Sequence, residues 1–326
     1  HSTLLGGGFG RKAGQDYAEA AIRIAQAAAG QPVTLIWSRE EDIRRDQFRP
    51  CFTARLTGAL DDQGRLTSWD AVNCGDSVLG FGASDPLSVQ GFSDLPYGIP
   101  NQRIRHVYKA SVIESGFWRS IGHTQNTFCV ESFVDEMANL AGADPMEFRL
   151  SLLSDNPRVR AVLERVAAIG QWGTPIVAGA SQGVAVCADY GSVLAAICEA
   201  TVDEQTRRIT VHRYSAVVDC GLVIQPTGVH AQIEGGLLFG LSAALHEEVT
   251  FAQGQTEQSN FDNYAVLQAG EVPDVVIEIM DSDLGPGGAG EIGVGPAGPS
   301  LANAIFAATG VRCRSTPLQK CLIDSE

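Results

Sequence analysis

The chain has 326 residues, 44% hydrophobic and 19% charged, which predicts about two globular domains and excludes wholesale disorder. Its 23 basic and 38 acidic residues give a net charge of −15, which excludes a nucleic-acid partner, because phosphate binding needs clustered Lys and Arg. No run approaches the roughly 20 apolar residues of a membrane helix; the longest candidate, 235–245, is short and rich in Gly and Ala.

The run Gly6-Gly7-Gly8-Phe9-Gly10 predicts a loop. Residues 16–29 place Ala18, Ala21, Ile22 and Ala25 at helical spacing, and Gly30 and Pro32 end that helix. Residues 33–37 predict a buried strand. Residues 52–60 and 66–72 predict a hairpin turned at Asp62-Gln63-Gly64. The stretch 74–101 is rich in Gly, Ser, Asp and Pro and predicts a long surface loop. A helix follows over 124–141, with Val130, Phe133, Val134, Met137 and Leu140 on one side. Asp144-Pro145-Met146-Glu147 has the form of a capping box and starts a helix to 153. Another helix spans 159–169. The Gly- and Pro-bearing stretch 172–179 predicts a linker, which divides the chain into 1–172 and 173–326. Beyond it come strands at 184–187, 195–202 and 209–218, a helix over 229–245, a strand at 275–280 and a helix over 301–308. Strands and helices occur in runs without strict βαβ alternation, so the fold class is α+β, mixed sheets with packed helices.

Eight cysteines are scattered along the chain, and no C-x-x-C pair occurs. That spacing fits neither a zinc ribbon nor an iron–sulfur ligand set. Most sit among apolar neighbours and predict buried, reduced thiols. Two patterns match by string and fail by context. Gly285-x-Gly287-x-x-Gly290 follows a strand but is not followed at once by a helix, as a dinucleotide site requires. Gly179-Ala-Ser181-Gln-Gly183 matches a nucleophile elbow, yet an apolar strand follows it where a helix is needed.

Three segments carry more chemistry. The Gly6–Gly10 loop lets backbone N–H groups approach an anion or a flat ring without a Cβ in the way. Arg119, in Phe117-Trp-Arg-Ser-Ile-Gly122, stands just before a helix, where it can orient a polar substrate or stabilise developing charge. The loop 285–299 is built of Gly, Pro and small residues around one ionisable side chain, Glu291. A lone carboxylate there is poorly solvated, which predicts a pKa raised toward that of a general base.

These segments together are similar to the large molybdenum subunit of the xanthine dehydrogenase/aldehyde oxidase family. The run 1–12 resembles its glycine loop. The runs 37–42, 48–50, 117–122, 218–221, 232–240, 258–261 and 290–296 resemble the isoquinoline 1-oxidoreductase beta-subunit branch, in order along the chain. The resemblance implies domains of the aldehyde oxidase type that hold a molybdenum pyranopterin, in its cytosine dinucleotide form. It implies Glu291 as the catalytic base and Arg119 as a substrate-side arginine, although this branch has Trp-Arg-Ser where xanthine dehydrogenases have Phe-Arg-Gly. It implies that Gly7, Gly8, Phe9 and Gly10 lie beside the metal, and that Tyr190, Gly191 and Ser192 form a second loop approaching it. Gln232, Gly235 and Gly236 then belong to the pterin region. No side chain ligates molybdenum directly on this reading; the pterin dithiolene holds it.

The implied reaction is hydroxylation of an N-heteroaromatic or aldehyde carbon with water-derived oxygen, electrons passing to two-iron two-sulfur clusters on a small partner subunit. The family's large subunit has a long stretch ahead of the glycine loop, so the resemblance also implies a separate chain carrying that N-terminal half. A cytochrome or another acceptor is the implied terminal partner, and the periplasm the preferred compartment. Two alternatives are kept at this point: a non-catalytic structural subunit of such a complex, and a serine hydrolase acting through Ser181.

Overall fold

The computed structural model describes residues 4–79 and 85–324. A small sheet follows two N-terminal helices, α1 (Asp16–Ala27) and α2 (Arg39–Arg45). Between them residues 33–37 are not a strand; they join no ladder among the described residues. A β-branched run needs a neighbour to receive its backbone hydrogen bonds, and here none lies alongside.

The sheet consists of β1 (Phe52–Leu60), β2 (Leu66–Gly75) and β3 (Asn101–Tyr108), in that order. β1 and β2 form the predicted hairpin. Its turn is set by Asp61, whose carboxylate accepts the Gln63 and Arg65 N–H groups at 2.9 Å each. β3 pairs in parallel with β2 at the end of the stretch that reads as loop. Its largely polar sequence suits an edge strand with only Ile104 and His106 partly buried, so the apolar pattern that marks a strand is weak. Behind this sheet lies α3 (Ile121–Leu140), which starts three residues before its predicted position. α4 (Pro145–Ser151) is capped by Asp144, which accepts the Met146 and Glu147 N–H groups at 2.8 and 3.1 Å. α5 (Pro157–Ile169) follows.

The second half begins with the antiparallel strands β4 (Ser181–Asp189), β5 (Ser192–Val202) and β6 (Ile209–Asp219). Then come α6 (Pro226–Leu245), a small hairpin of β7 (Phe251–Ala252) and β8 (Gln255–Thr256), β9 (Asp274–Ile279), α7 (Val294–Thr309) and α8 (Leu318–Ile323). The sheet order is β4-β5-β6-β9, with β9 parallel to β6. Both faces are covered. Val193, Ala195 and Ile197 of β5 join the core under α5, while Leu194, Ala196, Cys198 and Ala200 join the core under α6 and α7, as the two-residue period of a strand requires. Because α5 packs on β5 and β6, the core runs across residue 172.

α7 is longer than its sequence suggests. It begins at Val294 instead of 301, and residues 294–305 are all buried. Gly295, Pro296, Gly298 and Pro299 weigh against a helix as local propensities. Tertiary packing overrides them, because a helix of small residues can press against the sheet. A Cβ at Gly183 on β4 would stand 2.2 Å from both the Ser300 carbonyl oxygen and the Ala304 nitrogen.

Candidate active site

α3 starts from an unusual turn. Ser120 and Ile121 have φ of 76° and 47°, a left-handed region that costs energy for any residue with a Cβ. The turn aims the Ser120 N–H at Glu291 Oε1, 2.9 Å away, while the Ser120 hydroxyl donates to the Glu291 carbonyl at 3.2 Å. Arg119 makes the complementary contacts. Its Nε donates to the Gly290 carbonyl at 2.7 Å, and its Nη2 to the Gln232 carbonyl and side-chain Oε1 at 3.1 and 3.2 Å. One buried arginine thus ties the start of α3 to the 285–293 loop and to α6. Burial lowers its pKa, and the Glu291 charge opposes that shift; a guanidinium stays protonated regardless. Nη1 makes no hydrogen bond among the described residues and borders the bare backbone of Gly235.

The link between β4 and β5 is a two-residue turn, Tyr190-Gly191, with φ of 53° and 75°, as a tight hairpin demands. The turn and the end of β6 together carry the glycine loop: the Gly288 N–H donates to the Tyr190 carbonyl and the Gly287 N–H to the Cys220 carbonyl after β6, both at 2.8 Å. A Cβ on Gly287 would meet Ser192 Oγ at 2.4 Å and the Gly191 carbonyl oxygen at 2.7 Å, so only glycine fits. Burial and the charge of Glu291 push the Tyr190 hydroxyl well above its usual pKa. Tyr190 Oη and Ser192 Oγ are both buried without a hydrogen-bond partner.

The third wall is the loop Gly7–Gly10. Phe9 stacks on Phe239 of α6, with ring centroids 5.7 Å apart, and Trp118 packs on the same ring at 4.8 Å. The Arg119 guanidinium lies 5.5 Å from the Phe9 centroid and 5.7 Å from that of Phe239. Gly10, at φ 104°, presses against Phe117; a Cβ there would stand 2.3 Å from the Phe117 carbonyl oxygen.

The structure therefore gathers Arg119, Glu291, Gln232, Gly235, Tyr190, Gly191, Ser192 and the Gly7–Gly10 loop into one place. Gly236 differs: its α-carbon faces Gly293, where an added Cβ would lie 3.1 Å from Gly293 Cα, so it packs α6 on the loop and does not line the space. Sequence reading missed Ser120, Phe239 and Gly287. The serine-hydrolase alternative fails on topology, because Ser181 opens β4 with no strand ahead of it to form an elbow.

A large flat polar group fits this arrangement. At Gly235 and Gly290 an added Cβ would find its nearest neighbour at 3.8 Å, and at Gly6 and Gly285 none within 4 Å. Bare backbone and Arg119 Nη1 border it, and the Tyr190 and Ser192 hydroxyls lie buried behind the turn that carries them.

Such a site, closed by glycine backbone around one carboxylate, is that of a cofactor-binding protein. Residues 1–152 and 159–273 each match the molybdopterin cofactor-binding domain. The beta subunit of isoquinoline 1-oxidoreductase from Brevundimonas diminuta is 33% identical over 335 residues, which cover 99% of this chain and 43% of that protein. A membrane-bound aldehyde dehydrogenase [pyrroloquinoline-quinone] from Gluconacetobacter polyoxogenes is 31% identical, over 98% of this chain and 45% of that protein. The chain thus spans under half the length of both relatives. Among solved structures, quinoline 2-oxidoreductase from Pseudomonas putida 86 superposes with a TM-score of 0.82 at 16% identity, over 98% of this chain and 68% of that chain; it shares the fold. The chain belongs to the molybdenum-binding subunits of the xanthine dehydrogenase/aldehyde oxidase family, in the isoquinoline 1-oxidoreductase beta-subunit branch.

Proposed function

We propose that this chain supplies the catalytic base and most of the cofactor cradle of a molybdenum hydroxylase that oxidises an N-heteroaromatic or aldehyde carbon. The observation that carries this reading is the knot of Arg119, Ser120 and Glu291, which fixes one carboxylate beside an otherwise glycine-built space. When bound, the molybdenum pyranopterin supplies the two-electron acceptor. The Ser120 N–H holds Glu291 Oε1, which leaves Oε2 to take a proton from the water-derived oxygen as it attacks the substrate carbon. Arg119 Nη1 is the group placed to orient a polar substrate or the cofactor's edge. Gly7, Gly8, Phe9 and Gly10 close the metal side, and Gln232 and Gly235 the pterin side.

On the same reading the pterin carries a cytosine dinucleotide. Two-iron two-sulfur clusters sit on a small partner subunit, and a cytochrome or similar acceptor takes the electrons onward. On this reading the remaining part of the molybdenum subunit covers α1; none of that helix's residues is buried here, and Leu4, Leu5 and Ile36 are exposed as well.

The test is Glu291→Gln in the assembled complex. Molybdenum content should stay at the wild-type level while turnover falls by about 10²–10⁴-fold, the usual worth of a positioned base. A variant that keeps substantial turnover removes Glu291 from the base role. A wild-type complex without molybdenum, despite a full cofactor supply, favours the structural-subunit alternative.

A further inference from the structure

We propose that Asp94, His123 and Asp189 form a binding site for one divalent transition-metal cation of the zinc type, separate from the pterin site. His123 lies in the first turn of α3, three residues after Ser120, and is 2% exposed. Its Nε2 stands 3.1 Å from an oxygen of Asp94 and 3.0 Å from Oδ2 of Asp189, the last residue of β4. The three ligand atoms all lie within 4.8 Å of one another.

Direction matters more here than distance. An imidazole N–H donates along a single in-plane line. Two oxygens sit at ion-pair range from Nε2, yet neither lies on that line, so Nε2 and Asp189 Oδ2 are both buried without an aligned hydrogen bond. Unpartnered buried polar atoms are rare and call for a cause. One nitrogen and two oxygens arranged about a common centre supply it. With metal–ligand bonds of about 2.0–2.2 Å, neighbouring ligand atoms in a tetrahedral or octahedral shell stand about 3.0–3.5 Å apart.

The surroundings complete the case. His123 Nδ1 faces Cys187 Sγ at 3.6 Å. With its proton on Nδ1, the ring keeps the Nε2 lone pair for a metal, and the sulfur fixes the ring's orientation. The Gly91 N–H donates to Asp94 Oδ1 at 2.6 Å and holds that carboxylate toward the histidine. Asp94 is 40% exposed, so water can complete the shell. One imidazole and two carboxylates suit a borderline cation. Site and mechanism meet at Asp189: the next residue, Tyr190, begins the turn that helps carry Gly287 and Gly288. A cation here would clamp that turn to α3 and to the 91–94 loop, a positioning role.

The competing occupant is a proton. Burial lowers the His123 pKa, but Cys187 and the two carboxylates together raise it to about 12, so an imidazolium would satisfy the same charges. The experiment separates the two. The assembled complex is dialysed against a chelator, Zn²⁺ is titrated in, and zinc, molybdenum and iron are counted by mass spectrometry. The expected result is ~1 zinc per copy of this chain beyond the other metals, bound more than ~100-fold more weakly in Asp94→Asn and about 10–100-fold more weakly in Cys187→Ala. Asp94 is a loop residue, and unchanged molybdenum content in its variant confirms that the fold is kept. Wild-type protein that takes up no zinc, or Asp94→Asn that takes it up equally, overturns the proposal in favour of the imidazolium. Molybdenum is counted in the same samples, so failure of this site and failure of the pterin reading are distinguishable.

Discussion

The second sheet and the N-terminal segment use similar apolar residues and reach opposite ends. On β5 the nine residues Ser192–Ala200 are all buried, because α5 covers one face and α6 with α7 the other. On α1 an equally regular apolar stripe buries nothing; Ile22 and Ile24 are 57% and 46% exposed. The contrast teaches that periodicity encodes a face and leaves its partner to the rest of the chain, or to another chain. The second sheet finds its cover within this polypeptide. The N-terminal segment, which carries the glycine loop, does not find it among the described residues.

The closed region should be costly to disturb. The largest effect is expected at Arg149, fully buried beneath α3. Its Nε donates to Glu131 Oε2 at 2.9 Å, and Glu131 also accepts from the Tyr97 hydroxyl at 2.7 Å. Arg149→Leu leaves a buried carboxylate without its cation and should cost about 3–5 kcal/mol, read by urea unfolding. A loss under about 1 kcal/mol would mean that the core around it is less tightly closed than the contacts indicate.

Gly183→Ala is next. The added methyl collides with α7 backbone, which cannot swing aside as a side chain can, and should cost about 1–3 kcal/mol in the same assay. Asp219 tests the seam between sheet and glycine loop. The Arg158 guanidinium, hydrogen-bonded to it at 2.7 and 2.9 Å, and the Gly221 N–H hold its carboxyl below the usual range. A depressed carboxyl stabilises the fold above its unfolded pKa of about 4, and that contribution is lost as pH falls through the lower folded value. The melting temperature of wild type should therefore exceed that of Asp219→Asn at neutral pH, with the gap closing in acid. A gap that does not change with pH would rule out the ion pair as its source.

The smallest effect belongs to the uncovered segment. Ile22→Ser removes apolar surface that touches no core, so the stability of this chain should change by no more than about 0.5 kcal/mol. Binding of the segment proposed to cover α1, read by protease protection of that helix in the assembled complex, should weaken. A large loss of intrinsic stability would show instead that α1 is packed against its own chain.

Much of the fold was legible because its signals are local. The hairpin β1–β2, the helices α1, α3 and α5 and the strands β4, β5 and β6 follow from two-residue and 3.6-residue periods and from a few caps, Asp144 above all. The misread elements depend on distant neighbours. Residues 33–37 have strand composition but no partner strand. β3 has a partner but only a weak apolar pattern. α7 has a sequence full of helix breakers, and it is helical because β4, α3 and α6 close around it and reward small residues.

The parts of the site can be read along the chain: a lone Glu291 in a Gly/Pro loop, Arg119 at a helix start, and two glycine-bearing turns. How those parts meet depends on the fold. Ser120 N–H reaches Glu291 across 171 positions of chain, and Arg119 reaches Gln232 across 113. A hydrogen bond needs its atoms within about 3.5 Å and in line, and no local propensity carries that information over such separations. It comes from packing α3, α6 and the 285–293 loop against one another. The same packing brings His123 from α3 against Asp94 and Asp189, three residues that nothing in the sequence pattern joined.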